Sequence, residues 1–348
     1  MGIDLLPLIL LTVFIFGAKP VKARGELNTN YLSLETGNCL RGFFALTVVL
    51  HHISIRTESG LLLRLFAFAG LPAVSVFFFL SGYGLQKSYM KHEDYKKHFL
   101  KRRLSKIIIP YIFVTLLFWG VYALGQKPYS FKDVVYAFLQ GNPIVLFSWY
   151  IVSISSFYIF YWLFMLICKR NYNLMLLYAS IWYILYIIVC TKLGYGEWWY
   201  NASHPLIFGM FWAIYEPKIL PTIKKYYRVI LCFVTFGFGF LSICRGIIND
   251  WLVSLIFAMG SIVFFVFLLI LFTAKVKIGN PFMNYLGNIS LEIYLVQGLF
   301  MVGTRSDVVF INNDFIWGVI VFFGSILLGA LLHKIFTIKP LSKTTCKT

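Results

Sequence analysis

The sequence predicts an all-α polytopic integral membrane bundle of about ten to eleven transmembrane helices. Three observations predict it. Of the 348 residues, 60% are hydrophobic and only 13% charged, which is too apolar for a soluble domain of this length. Apolar runs long enough to span a bilayer recur from one end of the chain to the other. The net charge of +18 forms no single stripe of the kind that binds nucleic acid. The basic residues fall between the apolar runs instead, where the positive-inside rule places them.

The runs place eleven spans at 4–18, 38–56, 69–89, 105–125, 146–168, 172–190, 199–215, 228–246, 251–273, 282–303 and 314–333. The first has the length of a signal peptide, but Asp4 precedes it where basic residues belong, and Lys19, Lys22 and Arg24 follow it. It reads as an uncleaved helix with its N-terminus outside. Residues 25–37 then form a polar linker. An odd number of spans puts the termini on opposite sides. With the C-terminus cytoplasmic, the segments 19–41, 87–106, 169–170, 218–228, 275–277 and 334–348 hold 24 of the 31 Lys and Arg residues. The other 7 (Arg56, Arg64, Lys127, Lys132, Lys192, Arg245, Arg305) lie outside. This bias orients a multi-pass protein of the cell membrane with a cytoplasmic C-terminus. The expected organisation is an extra helix and linker at 1–35, a transmembrane domain at 36–335 and a cytoplasmic tail at 336–348.

The second span carries the most informative chemistry. Arg41 and His52 are eleven residues apart, so on an α-helix they point within about 20° of each other and stand roughly 16 Å apart along the axis. His51 lies on a different face. Ionisable groups on one stripe of a membrane helix are expensive and are candidates for function.

Later segments each have an ordinary explanation when taken singly. Ser81-Gly82 in the third span is accounted for by close helix packing. The dense basic stretch from Lys87 to Lys106 suits anionic lipid heads, and its arginine forks equally match the phosphates of a soluble cofactor. Trp149-Tyr150 and Trp198-Trp199-Tyr200 read as interface anchors. His204 reads as a lone surface histidine, and His92, His98 and His333 are weak candidates. Cys39, Cys168, Cys190, Cys232, Cys244 and Cys346 show no paired metal spacing and read as small apolar residues, with no disulfide frame and no zinc site. Glu292, well inside the tenth span, should face the bundle interior, pair with a cation or hold a proton.

Together these pieces resemble the membrane acyltransferase 3 family. The family's Arg-x10-His pattern matches Arg41 and His52, and its Phe-Phe-x-x-Ser-Gly-Tyr pattern matches Phe77, Phe78, Ser81, Gly82 and Tyr83. Its Arg-rich stretch ending in Pro-Tyr matches Arg102, Arg103, Pro110 and Tyr111, and Trp149-Tyr150 matches a further step. Near the end, Gly287, Ser290, Ile293, Tyr294 and Leu295 match, while Leu291 replaces the usual Tyr and Gln297 the usual His. The resemblance runs from about residue 36 to 335, and the added first helix gives eleven spans where such proteins usually show about ten.

The resemblance implies a bacterial O-acetyltransferase. It moves an acetyl group from acetyl-CoA, as donor substrate and with no permanently bound cofactor or metal, to a hydroxyl of a cell-envelope polysaccharide or lipid-linked glycan. His52 is then the expected general base or transient acyl carrier. Arg41, Ser81, Tyr83, Arg102, Arg103 and Lys106 are expected along the donor, and Glu292 is expected to orient or charge-balance His52. Membrane lipids are the remaining expected partner. Two other classes fit the same composition: a transporter or flippase for a glycan or other polar substrate, and a sensor or assembly protein without catalysis. A transporter predicts inverted repeats or helices broken at corresponding positions, and the sequence presents neither.

Overall fold

The computed structural model describes residues 2–21, 25–125 and 127–337, so the expected tail at 336–348 lies almost wholly outside the described residues. The elements in chain order are α1 (Leu5–Ile15), β1 (Lys19–Pro20), α2 (Leu34–Ser54), α3 (Leu61–Leu65), α4 (Gly70–Lys91), α5 (Phe99–Leu124), α6 (Phe131–Leu139) and α7 (Trp149–Ile167). They continue with α8 (Tyr172–Lys192), α9 (Pro205–Ile247), α10 (Trp251–Lys275), β2 (Val276–Lys277), α11 (Pro281–Asn288), α12 (Ser290–Gly303) and α13 (Asp314–Thr337). The strands β1 and β2 pair antiparallel, with Lys19 opposite Lys277.

Several helix starts are written locally. Ser33, Asn171 and Asp250 each accept a backbone N–H three residues on, and Asn280 accepts those of Phe282 and Met283. These side chains satisfy donors that a helix N-terminus otherwise leaves without partners.

The contacts sort the chain into two ends, named here for Arg41 and His52. At the histidine end, Asp4 accepts the backbone N–H groups of Leu61 and Leu63, and His51 packs on Gly70. At the arginine end, Asn280 donates to the carbonyls of Val13 and Phe16, and Tyr89 donates to Met165. Helix α9 joins both ends twice. Pairing of 204 with 259 and of 212 with 267 makes its first arm parallel to α10. Pairing of 227 with 271, 237 with 264 and 241 with 260 makes its second arm antiparallel. The reversal lies between Pro217 and Tyr226, whose φ of −115° and ψ of 25° break the helical path.

Among the described residues, six helices are long and apolar enough to cross a membrane, or eight when two bent pairs, Leu61–Phe68 with Gly70–Lys91 and Pro281–Asn288 with Ser290–Gly303, each count once. Adding α1 and α2 and separating the two arms of α9 yields eleven helical segments that alternate between the ends. The protein is therefore an all-α, multi-pass membrane bundle. Three details depart from the expected spans. Helix α5 starts at Phe99, so Arg102 and Arg103 lie on its first turns and not in a loop. The tenth span is bent by 73° at Ile289. The loops at the histidine end carry the short helices α3 and α6, the latter opened by a capping box between Ser130 and Asp133.

One crossing is unusually close. A Cβ on Gly82 would stand 1.9 Å from the Leu206 carbonyl oxygen, and one on Gly209 would stand 2.2 Å from that of Phe79. The Ser81-Gly82 step thus serves helix packing, with α4 and the first arm of α9 in backbone contact. Outward faces carry apolar side chains such as Phe233, Phe236 and Phe240, as a lipid solvent requires.

Candidate active site

Helix α2 is unbroken from Leu34 to Ser54 and buried among α4, α11 and α12. Arg41 and His52 therefore keep the separation of roughly 16 Å that eleven helical residues impose. The helix is pinned by glycines: a Cβ on Gly42 would stand 2.3 Å from the Met283 carbonyl oxygen, and one on Gly287 2.0 Å from that of Asn38.

His52 is buried, and its Nδ1 lies 3.0 Å from Gln297 Oε1. Gln297 Nε2 lies 3.0 Å from the Tyr294 carbonyl. A carbonyl only accepts, so the amide must turn its NH2 toward Tyr294 and its oxygen toward the imidazole. An oxygen facing Nδ1 requires a proton there, which leaves the lone pair of neutral His52 on Nε2. The Phe147 ring stacks on the imidazole at 3.5 Å between centroids and 8° between planes. Phe147 holds φ at +67°, a left-handed conformation that costs a non-glycine residue on the order of 1–3 kcal/mol. The Tyr294 hydroxyl donates to its carbonyl and helps to hold it there.

His51 is arranged differently. Its Nδ1 lies 3.1 Å from the Phe66 carbonyl, and its opposite edge packs so tightly on Gly70 that a Cβ there would come within 2.4 Å of Nε2.

A cavity of about 1130 Å³ opens beside both histidines, bounded by Tyr294, Phe147, Ser148 and Trp149 and, farther out, by Trp198, Asn201 and Arg245. It lies wholly at the histidine end. A volume of this order accommodates a ring-sized ligand with room for substituents.

From the arginine end, a seam of hydroxyl groups leads toward this cavity. The Arg103 guanidinium donates to the Tyr95 hydroxyl at 2.8 Å and lies within electrostatic reach of Tyr158. Ser81 and Arg41 both lie within electrostatic reach of the Tyr150 and Tyr158 phenols. The Tyr150 ring then meets that of Tyr294 edge-on at 5.5 Å. Arg41 itself donates to Asn38 Oδ1 at 3.1 Å, and Asn38 donates to Asn288. Arg102, exposed, donates to the carbonyls of Tyr95 and Lys97. Lys106 is exposed at the same end.

Two expected site residues stand elsewhere. Tyr83, two residues beyond Ser81 and so on another helix face, donates to Glu216 at 3.2 Å. Glu216 also pairs with Lys87 and accepts from Tyr31, whose oxygen takes the Trp212 indole N–H. This buried carboxylate straps the linker to α4 and α9, and Tyr83 belongs to it and not to the seam. Glu292 does not orient His52. It lies 2.8 Å from Nδ1 of His333, and the break at Ile289 puts it in the first turn of α12, where the helix dipole favours a carboxylate. Gln297, five residues on, takes the imidazole instead.

Sequence reasoning named Gln297 only as a departure and missed the parts of Phe147, Tyr158, Glu216 and Arg245. Glu216 was detectable as a lone acid at a span end. Nothing in the sequence marks the left-handed backbone of Phe147.

The apolar bundle sets a buried imidazole and a cavity at one end and a cluster of cations at the other. Residues 38–334 match the sequence family described as an acyltransferase domain, and the chain belongs to this acyltransferase 3 family. Its activity class is therefore membrane acyl transfer. No curated protein and no solved structure matches it.

Proposed function

We propose that this protein transfers an acetyl group from acetyl-CoA to a hydroxyl of a cell-envelope polysaccharide or lipid-linked glycan. The observation that carries this reading is His52, with its Nδ1 held by Gln297 on the wall of the large cavity and Arg41 and Arg103 at the opposite end. The nucleotide end of CoA binds at the arginine end, where Arg103 and Arg102 offer forked donors to phosphate. The pantetheine arm follows the seam past Arg41, Ser81, Tyr158 and Tyr150 and brings the thioester to His52. The acceptor enters the cavity from the other side.

His52 Nε2 takes the proton from the acceptor hydroxyl as its oxygen attacks the thioester carbonyl. The tetrahedral intermediate expels CoA thiolate, which regains a proton from the imidazolium, so ester and free CoA leave and the histidine is restored. The membrane orientation in which the arginine end is cytoplasmic, which the 24-to-7 bias of Lys and Arg residues supports, supplies donor from one side and acceptor from the other.

The test follows label from radioactive acetyl-CoA into glycan, using membranes that carry the native protein or His52→Ala. Label should accumulate with the native protein and fall by at least 100-fold in the variant, since general base catalysis contributes about 10²–10⁴-fold. Equal labelling by both would remove His52 from the mechanism.

A further inference from the structure

The two ends of the molecule differ in charge. At the histidine end the acids (Asp4, Glu58, Asp133, Glu197, Asp250, Asp307, Asp314) equal the cations in number, seven of each. The cavity beside His52 has no carboxylate among its described lining residues, and its one permanent charge is Arg245.

The engagements of the charges deepen the contrast. Asp4, Asp133 and Asp250 accept backbone N–H groups, and Asp307 and Asp314 pair with Lys127 and Arg305. The other arginines at this end are also spoken for. Arg56 donates to the His52 carbonyl and lies over the Phe147 ring, Arg64 donates to the Glu58 carbonyl, and Arg305 lies over the Trp317 ring while pairing with Asp314. Arg245, in the last turn of α9, makes no side-chain hydrogen bond, ion pair or cation–π contact with any described residue. A half-buried guanidinium with five donors and no acceptor is arranged to receive one from outside the chain.

We infer that Arg245 is an anion subsite of the acceptor cavity, so that the preferred acceptor is a glycan with a carboxylate or phosphate close to the hydroxyl that is acylated. The inference rests on the acyl-transfer reading for the site it modifies. Its own observation is the uncompensated guanidinium. The planar fork of Arg245 takes two oxygens of either anion. Trp198 and Asn201 on the same wall offer a ring face and an amide to the sugar itself. The anion is thereby held in the same cavity as His52, and its position on the acceptor sets which hydroxyl meets Nε2.

The experiment uses the purified full-length protein with three matched acceptor oligosaccharides: neutral, uronic-acid-bearing and phosphate-bearing. The native protein should show kcat/KM at least tenfold higher for one anionic acceptor than for the neutral one, and the two anionic arms tell carboxylate from phosphate. Arg245→Gln should lower that ratio at least tenfold, chiefly through KM, and Arg245→Lys should restore part of it. A native ratio near one, or a ratio that Arg245→Gln leaves unchanged, overturns the inference. Direct binding separates it from the acyl-transfer reading. Quenching of tryptophan fluorescence by the anionic acceptor, lost in Arg245→Gln and kept in His52→Ala, supports the subsite even without turnover, and quenching unaffected by Arg245→Gln refutes it.

Discussion

His51 and His52 are neighbours on one helix turn, yet their ring nitrogens meet different groups. One faces the Phe66 carbonyl and a glycine, the other a side-chain amide whose own orientation is dictated by the Tyr294 carbonyl. At this scale the substitution of Gln for the family's usual histidine at 297 has a definite consequence. Glutamine presents one fixed acceptor, so a single tautomer of His52 is favoured. Gln297→Leu removes that hydrogen bond, worth about 0.5–1.5 kcal/mol, and releases the imidazole. Acyl transfer should fall about 2- to 13-fold in kcat with donor KM little changed, and Gln297→Glu, which keeps an acceptor facing Nδ1, should retain more activity than Gln297→Leu. Steady-state kinetics on the three proteins checks this. Arg41 and His52 were legible as a pair because helical spacing needs no tertiary information. Glu292 was misassigned because its partner His333 lies 41 residues away, at a distance only packing reveals.

At the scale of elements, α4 illustrates how unequal two nearby glycines are. A Cβ on Gly82 would overlap the Leu206 carbonyl, whereas one on Gly84 would meet nothing within 4 Å. Gly82→Ala should force α4 from the first arm of α9 and destabilise the bundle by about 1–3 kcal/mol, the usual cost of overpacking. Gly84→Ala should leave stability equal or higher by up to about 1 kcal/mol, because glycine is a poor helix former. Thermal unfolding of the two variants in detergent checks the contrast, and equal shifts would contradict the packing. The apolar runs announced both arms of α9, but the reversal between Pro217 and Tyr226 is readable only from their opposed pairings with α10.

For the whole molecule, the alternation of eleven helical segments assigns every loop to one of two ends. Single cysteines placed at Lys97 and Lys127, in a background without the native cysteines, should react with an impermeant thiol reagent from opposite faces of sealed vesicles. The position at Lys97 should label from the cytoplasmic face, as the charge bias requires. Labelling of both from one face would break the alternation. The same arrangement separates two ends of unlike chemistry. One end is rich in cations around Arg103, and the other has balanced charge and a cavity lined by histidines, aromatics and one arginine.

Hydrophobic run length, the placement of Lys and Arg, and helical periodicity are properties of the chain itself. They sufficed for the membrane class, the all-α bundle and the shared face of Arg41 and His52, because each is set by residues a few positions apart or by transfer of a segment into lipid. The partner of His52, the break that turns Glu292 toward His333, the diversion of Tyr83 to Glu216 and the isolation of Arg245 were decided by tertiary structure. The first three depend on which distant side chain fills a hydrogen-bond vacancy in a buried site, where an unmet donor or acceptor costs about 1–3 kcal/mol, and the last on which charges the packing leaves beside Arg245. That cost selects among packings of the same helices, and it acts only once the helices have met.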